Sequence, residues 1–166
     1  NPDIPIVMGG GFVNTELRAL KDPRVFEFVD FICLDDGERP LITLLEYFEG
    51  KREIDDLVRT YFLAEDENGQ PYVHLNQNDQ LHDIPQSEVG APIYDGLPLG
   101  DYLSLCEMLN PMHRIWSDGR WNKLTIAHGC YWRKCSFCDV SLDYIDRYDT
   151  AGADALVDRI VELVEE

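Results

Sequence analysis

Residues 128 to 139 read HGCYWRKCSFCD and place three of the chain's five cysteines within nine positions. Cys130, Cys135 and Cys138 have the spacing C-x4-C-x2-C. Such a set can hold a metal, close a disulfide, supply a reactive thiol, or serve as core. Soft thiolate sulfur suits a tetrahedral metal or an iron–sulfur cluster. Arg133 and Lys134 lie inside the run, and their charge favours the thiolate that ligation needs. Three protein sulfurs on a four-iron cubane leave one iron open to a substrate or cofactor. His128 extends the same residues to H-x-C-x4-C-x2-C, a plausible Cys3His zinc set. A nucleophile alone would not need three cysteines. Five cysteines is an odd number and they are clustered, unlike a disulfide framework, so a reducing, cytoplasmic setting fits.

Elements must position this run. Ile4 to Met8 is a short apolar strand that ends in Gly9-Gly10-Gly11, and Asn14 or Thr15 can cap a helix that breaks near Pro23. Residues 29 to 36, VDFICLDD, form a second strand of buried type. Pro40 then occupies a first helical turn, Leu41, Leu44, Leu45 and Phe48 follow at helical spacing, and Gly50 closes the helix. Strand, helix, strand, helix in this order predicts βαβ units with a parallel sheet. Asn68-Gly69 centres a β-hairpin. Residues 76 to 114 keep little periodicity and read as a connector. A second hairpin is expected about Asp118-Gly119, its far arm (Lys123 to Ala127) delivering the chain to Cys130. Thr150 caps a last helix with Leu156, Ile160, Leu163 and Val164 inward. Cys33 and Cys106 read as core, and Trp116, Trp121 and Trp132 as packing residues. Asp35, Asp36 and Glu38 read as carboxylates that favour a helix N-terminus.

Composition narrows the function. The chain has 166 residues, 45% apolar, and a formal net charge of -18. That charge argues against nucleic acid or an anionic membrane as partner. Arg114, Arg120, Lys123, Arg133 and Lys134 stand against Asp118 alone in residues 112 to 138, a local +4 around the cysteines. No stretch approaches the roughly 18 apolar residues of a membrane span. The opening NPDIPIVMGGG and the closing DALVDRIVELVEE, with acidic residues at a helix C-terminus, lead to the expectation of an excerpt from a longer protein.

GCYWRKCSFC after a strand, with an aromatic before the third cysteine, resembles the cluster loop of the radical S-adenosylmethionine enzymes. The commonest spacing there is C-x3-C-x2-C, and this chain has one residue more. IVMGGGFVNTE followed by VDFICLDDGERPLITLLEYFEG resembles the second half of the cobalamin-binding domain that precedes the barrel in one class of that superfamily. The resemblance implies an α/β fold: a partial Rossmann-like parallel sheet with helices (1–52), a β-hairpin and irregular connector (53–119), and the first βα unit of an incomplete (β/α) barrel (120–166). It implies that Cys130, Cys135 and Cys138 ligate a 4Fe-4S cluster and that S-adenosylmethionine binds the open iron. Reductive cleavage to a 5'-deoxyadenosyl radical would follow. Phe137 matches a position near the adenine, and Gly9 and Gly10 match a loop close to cobalamin's nucleotide tail. Methyl transfer, cyclisation and porphyrin-cyclase-like oxidoreduction are the activities implied. A small-molecule or peptide substrate and an electron donor such as flavodoxin or ferredoxin are the partners. An excerpt without the rest of the barrel is expected to be inactive alone. The competing expectation is a zinc-stabilised, non-enzymatic interaction module built on His128 and the three cysteines.

Overall fold

Strand β1 (Val7–Met8) turns through Gly10 into helix α1 (Gly11–Glu16), and a 3-10 turn (Pro23–Glu27) leads to strand β2 (Phe31–Cys33). These elements come from a computed structural model that describes residues 4–78, 80–98, 101 and 124–165. β1 and β2 are parallel, with Val7 opposite Phe31 and Met8 opposite Ile32. The predicted βαβ unit is therefore present, although β1 is shorter than the apolar run and leaves Ile4 and Ile6 exposed. Asn14 and Thr15 do not cap α1. Gly10 occupies the cap position and Asn14 lies within the helix, its amide turned to the backbone of Asp35. Asp22 caps the 3-10 turn instead, accepting from Arg24 N–H at 3.0 Å, with Pro23 in the first position, where no N–H is needed.

Helix α2 (Glu38–Phe48) carries Pro40 in its first turn and ends at Gly50, whose φ of +71° is the left-handed stop. A short 3-10 turn (Ile54–Asp56) leads to β3 (Thr60–Glu65) and β4 (Pro71–Asn76). β3 runs antiparallel to β2, with Phe31 opposite Phe62 and Cys33 opposite Thr60, and β4 runs antiparallel to β3. The sheet order is β1-β2-β3-β4, so the hairpin joins the parallel pair as a mixed sheet. Gly69 (φ +73°) closes the turn by donating to Asp66 O, while the Asp66 carboxylate accepts from Asn68 and Gln70 N–H. The hairpin expected at Asn68-Gly69 is therefore present, but Gly69 alone is left-handed, so the loop is the longer form that closes on a glycine and not a two-residue turn.

β2 explains why the run VDFICL is apolar throughout. Ile32 and Leu34 join Val13 and Tyr61 on one face, while Phe31 and Cys33 join Leu44, Leu57 and Phe62 on the other. A central strand covered on both sides needs apolar residues at every position, not at alternate ones. Burying Ile32 or Leu44 completely is worth about 1.5–3 kcal/mol each. The face of α2 is a correction. Of the stripe Leu41, Leu44, Leu45 and Phe48, only Leu44 is fully buried, and the inward face is Pro40, Thr43 and Leu44.

The chain divides into two compact units after Ile84, and Pro85–Glu166 is the second. Among its described residues up to 98 there is no helix or strand. β5 (Ala127–His128) is followed by the cysteine run, a short helix α3 (Asp143–Asp146), β6 (Asp149–Thr150) and α4 (Ala153–Glu165). β5 and β6 are antiparallel, pairing Ala127 with Thr150 and His128 with Asp149, and nothing described here closes into a barrel. Thr150 is thus a strand residue and not the cap. α4 starts after Gly152, whose carbonyl accepts from Leu156 N–H at 3.1 Å. Leu163 faces inward as expected, but Ile160 and Val164 are exposed, and the other buried position is Arg159. The hairpin expected at Asp118-Gly119, with Trp116, Trp121 and Cys106, lies outside the described residues. No described helix is long and apolar enough to cross a membrane.

Candidate functional site

The cysteine run starts at a close approach. Gly129 has φ +76°, and a Cβ there would sit 1.6 Å from the carbonyl oxygen of Arg147. Only glycine fits, and Cys130 N–H can then donate to Ile145 O at 3.1 Å, tying the start of the loop to α3. The chain next folds around the first sulfur. Backbone N–H groups of Arg133, then of Trp132, hold the Cys130 thiol below its ordinary pKa, with the Arg133 charge a smaller cause. Arg133 is itself at φ +52°, and its side chain fastens the turn. Its Nε donates to Cys130 O at 3.2 Å and its Nη1 pairs with Asp146 at 3.2 Å.

Cys130 and Cys135 are half-buried, Cys138 is exposed, and none of the three is in a disulfide. Phe137 is 86% exposed. Trp132, expected to pack, is exposed too, with the Lys134 ammonium 5.6 Å from its ring centroid. Tyr131 meets Tyr148 edge-on at 5.9 Å. Among the described residues no group of three or more His, Cys, Asp or Glu side chains is gathered as metal ligands. Neither the three sulfurs nor their combination with His128 is assembled, and His128 sits in β5 opposite Asp149. The donor set itself fits an iron–sulfur cluster: three free thiols on one exposed stretch, one already biased to the thiolate.

At the other predicted location, Gly10 has φ +89° and open space where a side chain would project. Gly9 would bring a Cβ to 3.5 Å from Cys33 O, an ordinary contact, so protein packing does not demand glycine there. The structure places Gly9 and Gly10 in the first unit and the cysteines in the second.

A charged network at the exit of β2 was not visible as such in the sequence. Asp35, at φ +61°, pairs with Arg18 and lies 3.5 Å from Arg59 Nε, and Arg59 (φ +42°) also pairs with Asp83. Asn14 holds the backbone of Asp35 from both sides, accepting from its N–H at 2.6 Å and donating to its O at 3.2 Å. Asp35 therefore serves two arginines rather than the dipole of α2, for which Glu38 is the first-turn carboxylate. The exit of a strand is where α/β sheets place ligands. Here opposite charges largely satisfy one another.

No protein-family model matches the sequence, and no curated protein matches it at a significant level. One solved structure is similar: the apo form of the cobalamin-dependent S-adenosylmethionine radical enzyme OxsB, at 18% identity and a TM-score of 0.59. The likeness covers 96% of this chain and 18% of that one, and it is a likeness of fold.

Proposed function

We propose that the chain is part of a radical S-adenosylmethionine enzyme of the cobalamin-binding class. Cys130, Cys135 and Cys138 are its three protein ligands to a 4Fe-4S cluster. The observation that carries this reading is the loop after β5, where Gly129 admits the chain against Arg147 and three free cysteines follow within nine positions. The fold shared with OxsB supports it. When bound, such a cluster supplies one electron for reductive cleavage of S-adenosylmethionine.

The residues have separable tasks in this reading. Gly129 lets the loop leave β5 against Arg147, and Arg133 pins the turn to Asp146. The N–H groups of Arg133 and Trp132 lower the Cys130 thiol's pKa, which favours the thiolate form that ligation needs. Exposed Phe137 offers an apolar face for an adenine ring to cover, and Gly10 keeps the α1 entrance open to a corrinoid's nucleotide tail. The partners in this reading are a small-molecule or peptide substrate and a flavodoxin- or ferredoxin-type electron donor, in the cytoplasm.

Anaerobic purification of the native protein, followed by metal and sulfide analysis, tests the proposal. A brown chromophore with about four irons per chain is expected, lost in Cys130→Ala, Cys135→Ala and Cys138→Ala. One tightly held zinc and no iron in an otherwise functional protein would sink the reading and favour the zinc module.

A further inference from the structure

Arg159 lies midway along α4 and is only 4% exposed. Its guanidinium donates to two backbone carbonyls, Nη1 to Thr125 O at 3.3 Å and Nη2 to Gln86 O. No carboxylate among the described residues forms an ion pair with it. Asp149, which shares Gln86 as a neighbour, accepts from Gln86 N–H at 2.6 Å. Among the described residues the guanidinium is thus met by carbonyl dipoles, which solvate it but carry no net charge to offset its own. The fork also keeps N–H groups beyond the two in use.

Beside this guanidinium is a cavity of about 280 Å³, lined by Val89, Pro92 and Leu124 together with Gln86 and Thr125. A second recess of about 390 Å³ shares Ala91 and Pro92 with it and continues along α4 to Glu162 and Glu165. The buried cation thus lines one recess and two carboxylates the other, with Ala91 and Pro92 common to both. A simple anion would be repelled by those glutamates and by a chain of net charge -18. We propose that the two adjoining recesses act as one channel that binds a linear molecule with a carboxylate at one end and an amine at the other. The carboxylate pairs with Arg159 and the amine reaches Glu162 or Glu165. Three to six residues along a helix set that separation at about 5–9 Å. Leu124 and Thr125 precede β5 whereas Cys130 follows it, so this site lies at the opposite end of the strand from the cysteine loop. It is independent of the cluster reading.

Calorimetric titration of the chain with ε-aminocaproate, caproate and hexylamine tests the proposal. Saturable binding of ε-aminocaproate is expected, with caproate and hexylamine each about tenfold weaker. Arg159→Met should weaken ε-aminocaproate by about tenfold or more. Should that variant fail to fold, Val89→Trp fills the channel while keeping the arginine, and it should also abolish binding with an unchanged circular dichroism spectrum. Glu162→Gln with Glu165→Gln should remove the preference over caproate. No saturable binding to the parent chain, equal affinity for all three probes, or full affinity in Val89→Trp would each overturn it.

Discussion

Two adjacent residues, Gly129 and Cys130, decide how the cysteine loop begins. Gly129→Ala puts a methyl group into the Arg147 carbonyl and forces a side chain into left-handed backbone. Left-handed strain alone costs about 1–3 kcal/mol, so the variant is expected to lose at least that much stability in urea denaturation followed by circular dichroism. At Cys130 the sign follows from its lowered pKa. Whatever stability the thiolate adds is fully present above the ordinary thiol pKa and is lost as pH falls through the lowered value. With Cys135 and Cys138 replaced by Ser, iodoacetamide should alkylate Cys130 with a midpoint below that of a free cysteine. A midpoint that moves up to the ordinary value in Arg133→Pro but stays low in Arg133→Gln, which loses the same charge and keeps the N–H, would show that the N–H groups are the cause. Cys33 is the internal contrast: burial pushes its thiol up, outweighing the Thr60 hydroxyl, so it should label only on unfolding.

At the scale of elements, α2 shows where periodicity is insufficient. Leu44 and Leu45 are neighbours of one residue type, but Leu44 is fully buried and Leu45 is 51% exposed. Leu44→Ala is expected to cost about 2–5 kcal/mol, and Leu45→Ala within about 0.5 kcal/mol, measured by chemical denaturation. Equal losses would mean that the helix presents the predicted stripe after all. The caps show the same limit. Asn14 has the right chemistry for a cap, but Asp35 offers its backbone N–H and O together, and the amide meets both. Thr150 has the chemistry too, yet β6 takes it into a ladder with Ala127.

Across the whole molecule, charge is the dominant long-range term. A net charge of -18 repels itself in the folded state more than in the expanded one. Thermal stability should therefore rise between low and moderate sodium chloride as the Debye length shortens. A flat or falling melting temperature would show that local pairs such as Arg59–Asp83 and Arg18–Asp35, weakened by salt, outweigh the repulsion. The two units, 1–84 and 85–166, carry different parts of the chemistry. The glycine loop and the Asp35 network belong to the first, and the cysteine loop and Arg159 to the second.

The spacing of Cys130, Cys135 and Cys138, the Asn68-Gly69 turn, the Pro40 start and Gly50 stop of α2, and the apolar run of β2 were all determined by the sequence itself. Each depends on residues within a few positions of one another, so local sterics and hydrogen bonding suffice. Tertiary structure alone decided that Gly129 faces the Arg147 carbonyl, that Asp35 serves Arg18 and Arg59, that Leu44 is core while Leu45 is not, and that Arg159 is buried. Those outcomes depend on which distant segment occupies the space opposite each side chain, and spacing along the chain carries no record of that.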